Sequence, residues 1–307
     1  MIGRYFAIEV FMIQCRLLKS LTVLISISLV ACSATESDQD RVGKPIEISL
    51  NPYVGRLVTV NARVGDDTLK LLLDTGGGET SITPDVAHRL GCVPSGRGVG
   101  FRMTGEMVEW QYCRGVSLSI GGLSFHHERI GVWDINRLLP KGLPRLDGIL
   151  SLKTFLNHPF TMDLSSRRLI LETKKSLDRR VRTMTRLESR IATGPAGSEL
   201  SVFLHGQVGE YAGWFLLDSG NLDAVLISQD LVKSRLGDST APADTWKSEV
   251  KLGSLSAGLA RVRTKEIIYD GALSEEFMRR WIFTFDLSEN AVWVSPVTKQ
   301  PTKQSAV

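Results

Sequence analysis

The feature that most constrains the fold of this chain is that it contains itself twice. The segment from Val64-Gly65 through LLLDTG returns as Val208-Gly209 through FLLDSG, offset by 144 residues at both Gly65/Gly209 and Asp74/Asp218. Farther on, DGILSLKTFLNHPFTMDLSSRRLIL (147–171) aligns without a gap on DGALSEEFMRRWIFTFDLSENAVWV (270–294), with nine of 25 positions identical. Two matched blocks in the same order mark a duplicated unit. The chain of 307 residues is therefore expected to fold as two related lobes. They occupy 46–172 and 199–296, joined through 173–198 and followed by a tail at 297–307.

Each unit reads as mostly β. Leu57–Val64 and Leu69–Asp74 are short β-rich runs divided by the turn residues Gly65-Asp66-Asp67. One short helix follows each Asp-Thr/Ser-Gly. In the first unit Thr83 caps it, Pro84 opens it and Gly91 follows its end; in the second, Ser228 caps it and Gly237 stops it. The basic stretch 174–198, with Lys174, Lys175, Arg179, Arg180, Arg182, Arg186 and Arg190, reads as a partly helical interlobe connection. Its charges suit a solvated face or, alternatively, anionic lipid head groups.

The chemistry lies in the two repeated aspartates. An Asp placed directly after an apolar strand and before Thr/Ser-Gly is held at a strand end by a tight turn. A pseudo-twofold relation between the lobes would bring Asp74 and Asp218 face to face. Two carboxylates at ~3 Å cannot both ionise easily, so they share a proton and titrate as a pair. One can take a proton from water while the other donates to a carbonyl oxygen, and no covalent intermediate is needed. Asp147 and Asp270 also precede glycines, but no apolar strand leads into them, so they read as structural turn carboxylates.

These motifs resemble the retropepsin-like and pepsin-like aspartic proteases, especially the bacterial retropepsin-like group. The resemblance rests on LLLDTG with SITPDVAHRLG, on DGILSLKTFL with FTMDLSSRRLIL, and on their second copies FLLDSGNLDAVLI, DGALSEEFM and FTFDLSENAVWV. It implies a mainly β, bilobal pepsin-like acid protease fold of two pseudo-twofold-related lobes. It also implies Asp74 and Asp218 as the catalytic pair, Thr75 and Ser219 as a buried hydroxyl grip between lobes, and Gly76 and Gly220 as parts of the active-site loops. The chain departs from the pattern at Ser151 and Ser274, where a glycine is usual, and at Gly77 and Asn221, where pepsins carry Ser or Thr.

The halves differ by an insertion. Asp74 to Asp147 spans 73 residues and Asp218 to Asp270 spans 52, so the first half holds 21 more, around Cys92–Ile130. Two alternating runs joined near Thr104-Gly105 read as a β-hairpin. By the resemblance this is the single flap, at about 98–113. Phe101, Met103, Trp110 and Tyr112 are its candidate pocket contacts, with packing beneath the hairpin as the other reading. Cys92 and Cys113 either bridge the helix end to the flap base or remain two buried thiols. His126-His127 lacks metal-ligand spacing and reads as a surface strand pair. Gly96-Arg97-Gly98-Val99-Gly100 reads as a loop, and no cofactor or metal is expected.

The first 31 residues read as an address. Leu21–Ala31 is an apolar run preceded by Arg16 and Lys19. Spanning a bilayer takes ~20 apolar residues, so the run fits a signal-peptide core. Its end, Leu29-Val30-Ala31-Cys32, resembles a bacterial lipobox, which implies lipidation of Cys32; Met1 and Met12 both stand as starts. The polar residues 32–45 read as a flexible tether. The expected location is the periplasmic side of a bacterial membrane, with Ser33 favouring the outer one. A formal charge of +4, roughly half of it in the leader, gives no footprint for nucleic acid. The expected protein is a monomeric aspartic endopeptidase acting on protein or peptide substrates. The alternatives are a weak or inactive protease-like peptide-binding or assembly lipoprotein, and a two-carboxylate glycosidase, whose carboxylates would stand ~5–9.5 Å apart.

Overall fold

The computed structural model describes residues 43–194, 197–236 and 245–297. The leader, Cys32, the tether up to residue 42, Gly237 and the tail from 298 lie outside the described residues. Among the described residues no helix is long and apolar enough to cross a membrane.

In the first unit, alternation in VTVNARV buries Val58, Val60 and Ala62 and makes Val58–Val64 a strand. It pairs antiparallel with Asp67–Leu73 across a two-residue turn, where Gly65 takes a positive φ of 58°. The second unit repeats the hairpin with Leu200–Val208 and Tyr211–Leu217, turning at Gly209 with φ 59°. The strand Gly148–Leu150 then lies parallel to the end of Asp67–Leu73 and antiparallel to Ser81–Ile82. Gly271–Leu273 does the same between Tyr211–Leu217 and Val225–Ser228. Entry into each slot requires glycine: a Cβ at Gly148 would collide with the Ser81 carbonyl, and one at Gly271 with that of Leu226.

The two units are joined by a third sheet. Phe160–Asp163 pairs with Trp281–Asp286, each flanked by its own unit's next strand. Phe160 stacks on Phe285 at 4.7 Å between ring centres, and the hydroxyls of Thr161 and Thr284 bond at 2.8 Å. The fold is mainly β, bilobal and pepsin-like.

The helix Pro84–Arg89 starts as its sequence predicts, with the Thr83 side chain accepting the Val86 N–H. Ser228 likewise accepts the Asp230 N–H at the start of Gln229–Leu236. The inserted region is a hairpin of Ser95–Phe101 and Met107–Ile120. Cys92, just past the first helix, is disulfide-bonded to Cys113 in its second strand, with Cα atoms 5.9 Å apart.

Three sequence expectations are corrected. The glycine-rich 96–100 belongs to a strand paired antiparallel with Met107–Ile120, and Gly98 and Gly100 are bare because the Trp110 indole crosses the first and Glu199 reaches the second. His126-His127 is not a surface pair. Strand alternation exposes His126 but buries His127, whose ring lies 3.5 Å from the Thr154 hydroxyl. The connection 173–198 is only in part a linker. After the helix Lys174–Val181, Thr185–Leu187 joins the interlobe sheet and Ser189–Thr193 joins the second lobe's sheet. Arg186 stacks over Trp293 and Arg190 over Trp214, so these cations cover aromatic rings within the sheets.

Candidate active site

Each strand–turn hands its aspartate to the same point. The Asp74 N–H donates to the Leu150 carbonyl and the Asp218 N–H to that of Leu273, both at 3.1 Å. The hydroxyl grip is reciprocal. Thr75 Oγ1 donates to the Leu217 carbonyl at 2.6 Å and accepts the Ser219 N–H at 2.9 Å. Ser219 Oγ donates to the Leu73 carbonyl at 2.9 Å and accepts the Thr75 N–H at 3.0 Å. Four buried bonds thus lock the loops across the axis.

The Asp74 and Asp218 side chains hydrogen-bond each other. Gly76 N–H donates to Asp74 and Gly220 N–H to Asp218, each at 3.0 Å. A Cβ at Gly76 would stand 2.5 Å from the Asp218 Cγ, and one at Gly220 would stand 2.8 Å from an Asp74 oxygen. Glycine is what lets each loop pass under the opposite carboxylate. Burial raises the pKa of both aspartates, and the adjacent Asp74 charge pushes Asp218 further, to about 8. Loop N–H groups oppose the rise at both, those of Gly76, Gly77 and Gly220 at Asp74 and those of Gly220 and Asn221 at Asp218. Two buried carboxyls this close do not both ionise readily, and they titrate as one coupled pair.

The dyad lies in a cleft of about 470 Å³ between the lobes and beneath the hairpin. Leu57, Leu72, Trp133, Ile135 and Ile149 line it on the first lobe, with Leu216, Leu226 and Tyr269 on the second. Phe101, Met103 and Trp110 of the hairpin also line it. Tyr112 does not. It is buried nearer the hairpin base, edge-on to Trp110 and capped by the Arg129 guanidinium at 5.0 Å. Residues 110 and 112 share a strand face, but that face leaves the cleft as the hairpin descends. A larger cavity of about 770 Å³ sits on the outer side of the first lobe, away from both aspartates.

Asp147 and Asp270 are structural. Asp147 accepts the Lys70 N–H at 2.9 Å and Asp270 the Trp214 N–H at 2.8 Å, again 144 residues apart in the donor strands. Ser151, at a departure from the family pattern, bonds Thr80 at 3.0 Å and caps the turn Leu152–Phe155. Among residues that the sequence did not single out, Glu79 and Glu199 line the cleft and Lys153 pairs with Glu79 at 2.8 Å. The bare Gly77-Gly78 and Gly98-Val99-Gly100 were their signal, since glycine marks where a neighbouring chain or side chain crosses.

Comparison with known proteins agrees with this geometry. Residues 60–153 match the family model described as Aspartyl protease. No curated protein sequence matches the chain. Among solved structures, aspartic proteinase from Irpex lacteus has a TM-score of 0.52 at 14% identity, over 86% of this chain and 100% of its own. Soybean Basic 7S globulin has a TM-score of 0.51 at 12% identity, over 82% and 95%. Conglutin gamma from lupine seeds has 0.50 at 10% identity, over 82% and 95%. At such identities the structural likeness shows the fold.

Proposed function

We propose, from the Aspartyl protease match over residues 60–153 and the fold shared with an aspartic proteinase, that the chain is an aspartic-type endopeptidase working through Asp74 and Asp218. The observation that carries this reading is the hydrogen-bonded carboxylate pair, one from each lobe, at the floor of an apolar cleft. The ionised member takes a proton from a water molecule, whose oxygen attacks the peptide carbonyl carbon. The protonated member gives its proton to the carbonyl oxygen, forming a neutral tetrahedral diol. Collapse of the diol breaks the C–N bond, the leaving nitrogen takes a proton, and the dyad again holds one. Carboxylates in direct hydrogen-bond contact leave no space for the ~5–9.5 Å arrangement of a glycosidase.

Substrates are protein segments extended beneath the hairpin, with apolar side chains in the lobe-wall pockets. We place the protein on the periplasmic side of a bacterial membrane, tethered through Cys32. Envelope or extracellular proteins would then be its targets. A non-cleaving peptide binder is the second reading, favoured by two structural neighbours that are named as globulins.

One assay separates the readings. The full chain, Asp74→Asn and Asp218→Asn are incubated with an unfolded protein and a peptide library. Either substitution is expected to lower kcat/KM by about 10³-fold or more while the fold is retained. Equal activity of wild type and Asp74→Asn contradicts the protease reading, and binding without cleavage by wild type establishes the second.

A further inference from the structure

One end of the cleft carries more negative charge than the dyad needs. Glu199, at the start of the second lobe's first long strand, is half-buried and lines the cleft. Its position is made by two bare backbones. A Cβ at Gly78 would stand 2.9 Å from the Glu199 Cβ, and one at Gly100 on the hairpin would collide with Glu199 Oε1. The carboxylate thus sits between the active-site loop and the hairpin, on the route of a chain held beneath it. Among the described residues its carboxylate has no hydrogen-bond partner.

Glu79 stands beside it, five residues after Asp74. Its side chain is only 6% exposed, and its Oε1 is buried with no hydrogen-bond partner. Its Oε2 takes the Lys153 ammonium, which also donates to the Ser198 carbonyl at 2.9 Å. Lys153 therefore serves both carboxylates, and Arg129, stacked on Tyr112, acts on Glu79 from farther off. The cations lining the cleft itself are Arg102, which Glu106 holds at 2.8 Å, and Lys265. A half-buried carboxylate without a donor is costly in the empty protein and gains most from an incoming cation.

We propose that Glu199, backed by Glu79, forms a subsite that accepts a positively charged group of the substrate, either a lysine or arginine side chain or a free N-terminal ammonium. The subsite deepens the endopeptidase reading and rests on it for its role in selection. It joins a charge requirement to the apolar pockets, so that the cleft selects hydrophobic segments carrying one cation at a fixed distance from the cut bond.

The test uses the full chain and N-acetylated, C-amidated peptides in which one lysine is moved through successive positions. Each is matched by a norleucine peptide, and a third series has a free N-terminus and no lysine. At one position, or in the free-amine series, the cation should raise kcat/KM about tenfold or more. Glu199→Gln should bring that ratio to about one, and Glu199→Lys should make glutamate the preferred residue at the same position. A merely structural Glu199 would change all peptides together and leave the ratio intact. Binding of fluorescent versions to Asp74→Asn, read by anisotropy, gives the same ratio without turnover. If no peptide is cut but Glu199-dependent preference for the cation persists in binding, the endopeptidase reading fails and the subsite stands. Absence of any cation preference, or a preference that Glu199→Gln leaves unchanged, overturns the subsite.

Discussion

The two active-site loops start alike and part after the third residue, and the parting is electrostatic. In the first lobe, Gly77-Gly78-Glu79-Thr80 turns inward. Thr80 Oγ1 bonds Ser151 at 3.0 Å and Thr154 at 2.8 Å, and burial lifts Glu79 to about 7 despite Lys153. In the second, Asn221-Leu222-Asp223-Ala224 turns on itself, with the Asn221 side chain accepting the Asp223 N–H at 2.9 Å. Asp223 reaches Arg263 at 2.7 Å near the surface. Its smaller burial penalty is outweighed by bonds from Ala224 and Arg263, and its pKa falls below the usual carboxylate value. The helical turns that follow are exchanged in sign. Lys153 of the first lobe grips the Ser198 carbonyl, whereas Glu275 of the second, 2% exposed at its side chain, grips Arg56 of the first at 2.6 Å and its own neighbour Arg279. Duplication preserved the backbone frame that carries the aspartates. Charge was then free to diverge around it, leaving one loop titratable near neutrality and the other fixed by ion pairs.

The strongest way to break the symmetry is to cut the grip from one side. Thr75→Val leaves the Ser219 N–H and the Leu217 carbonyl without partners, and Ser219→Ala does the same to the Thr75 N–H and the Leu73 carbonyl. Each should cost about 2 kcal/mol by urea unfolding. Because the bonds interlock, the double variant should cost less than the sum. Strict additivity would show two independent halves.

A smaller effect separates the lobes by pH. Glu79 has its folded pKa raised from 4.5 to about 7. The stability it contributes is thus fully present below its unfolded value and is lost as pH rises through about 7. Lys153→Met removes the cation that limits this loss. Its penalty should grow by about 1 kcal/mol or more between pH 5 and pH 8. A penalty that stays level across that range would place the proton elsewhere.

The repeat makes the frame legible in the sequence alone. The matched LLLDTG and FLLDSG, the glycines at the slots and the caps Thr83 and Ser228 all report local needs of the backbone, which a sequence states directly. Charge relations between distant segments were not legible. Nothing in the spacing brings Glu199 to Gly78 and Gly100, because that contact depends on how the hairpin folds over the junction of the lobes. Arg186 and Arg190 looked solvated because their partners, Trp293 and Trp214, lie far along the chain. Tyr112 departs from its expected place for a subtler reason. Strand alternation gives a residue's face but not where along the hairpin that face leaves the cleft.

The central claim is that the two halves supply one carboxylate each to a single protonated unit. It is tested most directly by following the aspartate carboxyls by 13C NMR against pH, in wild type and in Asp74→Asn. In wild type the Asp218 carboxyl should hold its proton to near pH 8, since burial and the Asp74 charge both favour the neutral form. With that charge removed, its midpoint should fall by about one pH unit or more. An Asp218 midpoint that is ordinary in wild type, or unmoved by Asp74→Asn, would contradict a shared site.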